Sequence, residues 1–287
     1  MSTVVLLTLT GLGLAALYFL IASGLSLVFG LAGVLNFAHG LFLSVGAYAA
    51  WWLEPHLGLA AAVPLGIAAG AATGALVELV VIRPLYRRPT EQVLATVGLS
   101  LAGVALLQSI WGADPRTYPR PGWAAHTTSV LGAEVPDDRF LLVAVAALVL
   151  LALLAVLRWT RYGLIIRAGV ENRAMVSALG IDVRAAFTLV FTLGGALAGT
   201  AGILGGMYFG SVSPGQGASL LIFAFIVVVI GGLGSVTGSA VAAVAVGLLQ
   251  QFVNYFGTSG AGDVSVVALL AIVLLLRPAG LTGRVAT

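Results

Sequence analysis

The chain contains no cysteine and no lysine, and only 8% of its 287 residues are charged. Without cysteine there is neither a disulfide framework nor a thiolate metal site, and the redox compartment is not written in the sequence. Without lysine the phosphate loop G-x-x-x-x-G-K-[ST] is impossible, so the chain cannot be its own P-loop ATPase. The three histidines, His39, His56 and His126, lack metal-ligand spacing. No serine, histidine and carboxylate set assembles a hydrolytic centre, so a transport subunit with no cofactor of its own is expected rather than an enzyme. The shortage of charge says most, because an ordinary soluble domain carries about 25% charged residues.

What fills the sequence instead is apolar, 60% of all residues. A globule of this size cannot hide so many apolar side chains, and its surface must face hydrocarbon. Backbone polar groups in a bilayer are satisfied within helices or closed barrels. The run from Phe140 to Leu157 is continuously apolar where a barrel strand would alternate. The expected fold class is therefore all-α, a polytopic transmembrane helix bundle with glycine-rich helix breaks, forming a single domain over residues 1–287.

Every basic residue is Arg, and the arginines cluster. Arg83, Arg87 and Arg88 share one loop, Arg158, Arg161, Arg167, Arg173 and Arg184 a second, and Arg277 and Arg284 the C-terminal end. The positive-inside rule makes these regions cytoplasmic, including the C-terminus. The stretch 113–139, where Arg116, Arg120 and Arg139 mix with Asp114, Glu134, Asp137 and Asp138, reads as an external loop. Charges that flank apolar spans do not form a continuous patch, which argues against nucleic acid as a partner. The first 53 residues carry no charge, so the cationic start of a cleaved leader is missing and the N-terminus reads as a retained helix.

At about 20 apolar residues per crossing, the spans fall near 3–29, 35–53, 59–82, 90–112, 140–157, 187–209, 218–232, 238–256 and 264–276. This gives about nine spans with an external N-terminus. Eight remain possible if 3–53 forms one broken helix and a re-entrant piece, which would move the N-terminus inside. Val28, Gly30, Gly33 and Gly46 recur with the same spacing as Val229, Gly231, Gly234 and Gly247. The echo suggests two related halves, each with a glycine-rich break at the cytoplasmic end of a helix.

Three features can carry function. Between Gly30 and Gly40 an amide, Asn36, and an imidazole, His39, interrupt an apolar run. Either a broken helix with Gly30, Gly33, Asn36 and His39 lines a pathway, joined by Gly231 and Gly234 of the echo, or Asn36 caps a helix and His39 satisfies a carbonyl. Glu78 lies inside a span, and it either relays protons or pairs with Arg83 near the interface. The cytoplasmic loop 158–184 holds a short helix over Val170–Leu179, with Glu171 in its first turn and Gly180 as its cap. Its small apolar face, Ala174, Met175, Ala178 and Leu179, suits the groove of a cytosolic partner or lies on lipid.

Several blocks resemble the branched-chain amino-acid ABC transporter permeases, in order along most of the chain. They are Gly24-Leu25-Ser26-Leu27-Val28-Phe29-Gly30 with Asn36-Phe37-Ala38-His39-Gly40 and Gly46-Ala47-Tyr48; Glu78 through Arg83-Pro84-Leu85; Leu94 to Ser100; Arg161-Tyr162-Gly163 to Gly180-Ile181, leading into Gly194 to Gly210; and Ser211-Val212-Ser213-Pro214 with Gly231-Gly232-Leu233-Gly234-Ser235. The chain is most similar to the H-type permease of the pair. The resemblance implies a multi-pass protein of the bacterial cytoplasmic membrane that works with a second permease, two cytosolic ATPase subunits that bind ATP, and an external substrate-binding protein. Leucine, isoleucine and valine are the implied cargo, with urea or short amides the alternative within related permeases. The 170–179 helix would be the coupling helix seated on an ATPase. A self-sufficient proton-coupled amino-acid transporter is the rival from another class.

Overall fold

Apolar runs closed by glycine, proline or charged turns fold as helices in the computed structural model, which describes residues 2–33, 35–166, 168, 183–258 and 260–282. Nine long helices lie among the described residues: α1 (Ser2–Ala32), α2 (His39–Leu57), α3 (Leu59–Val77), α4 (Pro89–Trp111), α5 (Asp137–Trp159), α6 (Val183–Phe209), α7 (Gln216–Gly231), α8 (Val236–Phe256) and α9 (Ala261–Leu276). Each corresponds to one predicted span. Six are long and apolar enough to cross a bilayer: α1, α3 with its extension to Leu85, α4, α5, α6 and α8. Of the others, α7 and α9 are 16 residues each, about 24 Å at 1.5 Å per residue, and α2 carries His39, Glu54 and His56. Pro89 in the first turn of α4 and Ser235, whose hydroxyl accepts from the Gly238 N–H at 3.0 Å ahead of α8, set helix starts that their sequence predicts.

α1 is the central post. From Leu14 to Val28 its side chains are buried in an almost unbroken run, packed by α8, α6, α5 and α7. It is antiparallel to α6, since Leu17 lies level with Gly205 and Gly24 level with Gly194. α3 and α6 pack backbone to backbone: a Cβ on Gly70 would sit 2.6 Å from the Gly195 carbonyl oxygen, and Gly66 and Gly74 face Ile203 and Gly195 on neighbouring turns. Small residues at four-residue spacing allow this approach, which supplies the dispersion and weak hydrogen bonding that hold helices together where lipid offers no hydrophobic contrast. α4 and α5 stand at the periphery and expose Leu94, Leu101, Leu106, Leu148 and Leu151, a surface suited to acyl chains.

The expected external loop differs in two respects. It ends at Pro136, because Asp137 and Asp138 occupy the first turn of α5, where the helix dipole favours anions. It also contains β structure that an all-α reading left out. β1 (Arg116–Thr117) pairs with β4 (Ser211–Val212) after α6, and β2 (Thr127–Val130) pairs with β3 (Ala133–Pro136) across a turn at Leu131 and Gly132. Trp51 Nε1 donates to the Thr117 carbonyl at 3.0 Å, tying the far end of α2 to this segment.

Candidate functional site

The chain unwinds after Ala32 and starts α2 only at His39, well inside the bundle. The depth follows from contacts: a Cβ on Gly24, about two turns before the end of α1, would lie 3.0 Å from His39 Cε1 and 2.9 Å from the Gly194 oxygen near the middle of α6. Gly33 leaves α1 with a φ of 68°, a conformation that suits glycine. Asn36 Oδ1 accepts the Ala38 N–H at 3.0 Å, the His39 N–H donates to the Asn36 carbonyl at 3.2 Å, and the Phe37 N–H donates to Thr96 Oγ1 of α4 at 3.3 Å. The Asn36 oxygen therefore closes the turn that launches α2. Its Nδ2 and both His39 ring nitrogens are buried with no hydrogen-bond partner among the described residues. The Ile21 carbonyl faces the imidazole, but neither nitrogen meets it in hydrogen-bonding geometry.

Three cavities follow the bundle from one end to the other. The outermost, about 450 Å³, lies at the start of α7 and is lined by Pro115, Ser211, Ser213, Gln216 and Ser219. A second, about 200 Å³, is walled by Leu25, Asn36, Phe37, Ser100, Leu221 and Phe225. α7 contributes to both from different faces, Gln216, Ser219 and Leu220 to the first and Ala218, Leu221, Ile222 and Phe225 to the second. The third, about 140 Å³, is bounded by Ser26, Gly30, Leu157, Ile166, Gly234 and Val236. Tyr118, in the segment between α4 and α5, lies against Gly206 of α6. Its burial raises the phenol above its ordinary pKa, with nearby Glu54 adding to the effect, so it stays neutral.

Of the four candidate glycines, Gly30 and Gly234 meet, a Cβ on Gly234 lying 3.1 Å from the Gly30 Cα. A Cβ on Gly33 would meet nothing within 4 Å among the described residues, and its N–H donates to the Phe29 carbonyl at 2.7 Å. Gly231 ends α7, and its carbonyl accepts from the Thr282 N–H at 3.2 Å and from the Thr282 hydroxyl at 2.6 Å. The Leu281 N–H reaches the Ile230 carbonyl at 2.8 Å. The C-terminal segment thereby satisfies carbonyls that a helix end leaves without partners.

Glu78 is fully buried and well partnered. Oε1 accepts from Arg83 Nε at 3.2 Å and from the Tyr86 hydroxyl; Oε2 accepts from Arg83 Nη2 at 3.2 Å and from Thr188 Oγ1 of α6 at 2.9 Å. A π-turn over Glu78–Ile82 creates the pairing. Five residues on in an α-helix is about 140° away around the axis, and the wider turn swings Arg83 back over Glu78. The sequence offered the ion pair as one of two readings of Glu78, without the π-turn that forms it. Thr188 and Tyr86 were not legible there, since their approach depends on how α3 meets α6. The expected coupling-helix residues Glu171, Ala174, Met175, Ala178, Leu179 and Gly180 lie outside the described residues.

A bundle with one helix starting inside it, cavities at several levels and apolar outer faces has the architecture of a multi-pass membrane permease. The profile of the family described as "Branched-chain amino acid transport system / permease component" matches residues 7–276. The chain is 32% identical to the high-affinity branched-chain amino acid transport system permease protein BraD of Pseudomonas aeruginosa, and 30% identical to the corresponding LivH protein of Salmonella typhimurium; each alignment covers 96% of this chain and 94% of the relative. Among solved structures it is similar to PsaBC from Streptococcus pneumoniae in complex with Fab, with a TM-score of 0.50 and 17% identity over 93% of this chain and 89% of that one. That likeness concerns the fold. The chain belongs to the branched-chain amino acid transport system permease family, and is the membrane permease of an ABC importer, a transport subunit and not an enzyme.

Proposed function

We propose that this chain is the H-type half of a heterodimeric channel that imports leucine, isoleucine and valine. A second permease completes the channel, two cytosolic ATPase subunits drive it, and an external binding protein delivers the cargo. The relatives named for branched-chain amino acid transport support the cargo. The observation that carries the route is the start of α2 at mid-depth between cavities lined by one helix, α7. Unwound backbone is tolerated at such depth where it is buried in protein or lines a water-filled cavity. The amino acid enters at the serine-rich mouth, passes the apolar chamber beside Asn36 and leaves near Gly30 and Gly234. All nine helices cross or enter the bilayer, the 112–136 segment is external, and the C-terminus is cytoplasmic, as the arginine distribution supports.

The 158–184 loop is the ATPase contact, through the face Ala174, Met175, Ala178 and Leu179 with Glu171 and Gly180 at its ends. Replacing Ala174 and Ala178 with Arg in the assembled complex should abolish leucine uptake while ATP hydrolysis continues; preserved coupling would remove the role assigned to the loop. In the rival, a proton-coupled carrier, Glu78 or His39 would carry the coupling protons; three donor residues already saturate Glu78, which leaves His39 for that role. Leucine transport by the purified chain alone, driven by a proton gradient, would establish that rival.

A further inference from the structure

We propose that the cluster of Glu78, Arg83, Tyr86 and Thr188 is a mechanical clamp, in which Glu78 acts as a positioning residue joining the base of α6 to the end of α3. It rests on the assignment of the 158–184 loop as the ATPase contact, because α6 is the first long helix after that loop.

Glu78 belongs to the π-turn, Arg83 and Tyr86 to the adjoining turn, and Thr188 to the second turn of α6. One carboxylate therefore binds two elements more than a hundred residues apart, and Arg83 Nη2 also reaches Thr188 Oγ1 at 2.8 Å, closing a triangle. Charge-assisted hydrogen bonds of this kind fix geometry as well as energy. The Arg83 side chain is 37% exposed while Glu78 is 0% exposed, which places the cluster at the rim of the bundle with its carboxylate sealed inside.

Above the clamp, α3 and α6 touch backbone to backbone, Gly74 against Phe191 and Gly195, Gly70 against Gly195 and Gly199. Gly199 also abuts Gly46 of α2, and Gly194 faces Gly24 and His39. No side chain separates α3 from α6 at Gly70 and Gly74, or α6 from α2 where Gly199 meets Gly46. A close-packed interface passes displacement on instead of absorbing it. From Thr188 to Gly194 is six residues, about 9 Å of helix. Motion at the base of α6 thus reaches the start of α2 through a rigid path, provided that Glu78 holds α3 and α6 together as one body.

The test uses the full complex of both permeases and both ATPases in liposomes with leucine-loaded binding protein, and reads ATP hydrolysed per leucine imported. Thr188→Val removes the hydroxyl but leaves the Glu78 and Arg83 pair; Glu78→Gln removes the charge. Each should raise that ratio about tenfold, the factor that losing one hydrogen bond to a charged group puts on an equilibrium, and Thr188→Ser should restore the wild-type ratio. Wild-type ratios in assembled Thr188→Val and Glu78→Gln complexes overturn the clamp, as does a proportional fall of uptake and hydrolysis together. If Glu78→Gln does not assemble, the Thr188 pair decides alone. Uncoupling by Arg at Ala174 and Ala178 alongside normal Thr188→Val overturns only the clamp, whereas normal coupling in the former overturns the loop assignment beneath it.

Discussion

Replacing Gly70 by Ala, and separately Gly98 by Ala, inserts the same methyl group into two helices with opposite surroundings. At Gly70 the new Cβ would lie 2.6 Å from the Gly195 oxygen and 3.0 Å from the Gly199 Cα, whereas at Gly98 on α4 it meets nothing within 4 Å. Ordinary contact begins near 3.4 Å, so α3 and α6 must part by about 0.8 Å, enough to forfeit a quarter to a half of the dispersion along the seam. Overpacking of this kind costs about 1–3 kcal/mol. Both variants gain the same helix propensity, up to about 1 kcal/mol, so their difference isolates the clash. At about 2–4 °C per kcal/mol for a chain of this size, thermal unfolding of the two proteins in one detergent should separate their midpoints by about 2–12 °C, Gly70→Ala the lower. Equal midpoints, or a more stable Gly70→Ala, would refute the backbone-to-backbone seam.

Thr96→Val withdraws the acceptor of the Phe37 N–H and should loosen the unwound stretch, read as about tenfold faster hydrogen exchange at Phe37 and Ala38 for a hydrogen bond of about 1.4 kcal/mol. Removing residues 280 onward frees the Ile230 and Gly231 carbonyls, and amide exchange at Gly232 to Ser235 should rise while that in α5 stays constant. Tyr18→Phe strands the buried Gln250 Oε1, which accepts from the Tyr18 hydroxyl at 2.7 Å while Nε2 donates to Asp263 at 2.7 Å. The cost should be about 1–3 kcal/mol in unfolding midpoint; no change would show that the chain of hydrogen bonds is dispensable.

The helices were legible because continuous apolar runs and clustered arginines are strong signals that need no partner. Boundaries moved where a turn had its own chemistry: α2 starts at His39 instead of 35 because Asn36 folds its amide onto the Ala38 N–H. α5 starts at Asp137 because two aspartates favour a helix start. The strands escaped notice since β1 and β4 are two residues each and pair only after α6 has returned the chain to the α4–α5 segment. At the site, the polar interruption at Asn36 and His39 was plain, but the cavities were not, since Ser100, Leu221 and Phe225 come from distant helices and look like ordinary span residues. The glycine echo implied equivalent positions in two halves. The fold brings Gly30 against Gly234 instead, a contact between breaks that no spacing within either segment encodes.

The burial of α1 also has a consequence in time. It is made before the other helices described here, yet its principal packing partner is α8, which begins at Val236. At about 5–20 residues per second, roughly 10–40 s separate the end of α1 from the first residues of α8. During that interval Tyr18, Ser23 and Ser26, buried in the finished bundle, face lipid or the insertion machinery. The post around which the permease is assembled spends its early life as a guest, and Tyr18 acquires its permanent neighbour Gln250 only when α8, the seventh of the described long helices after α1, has been made.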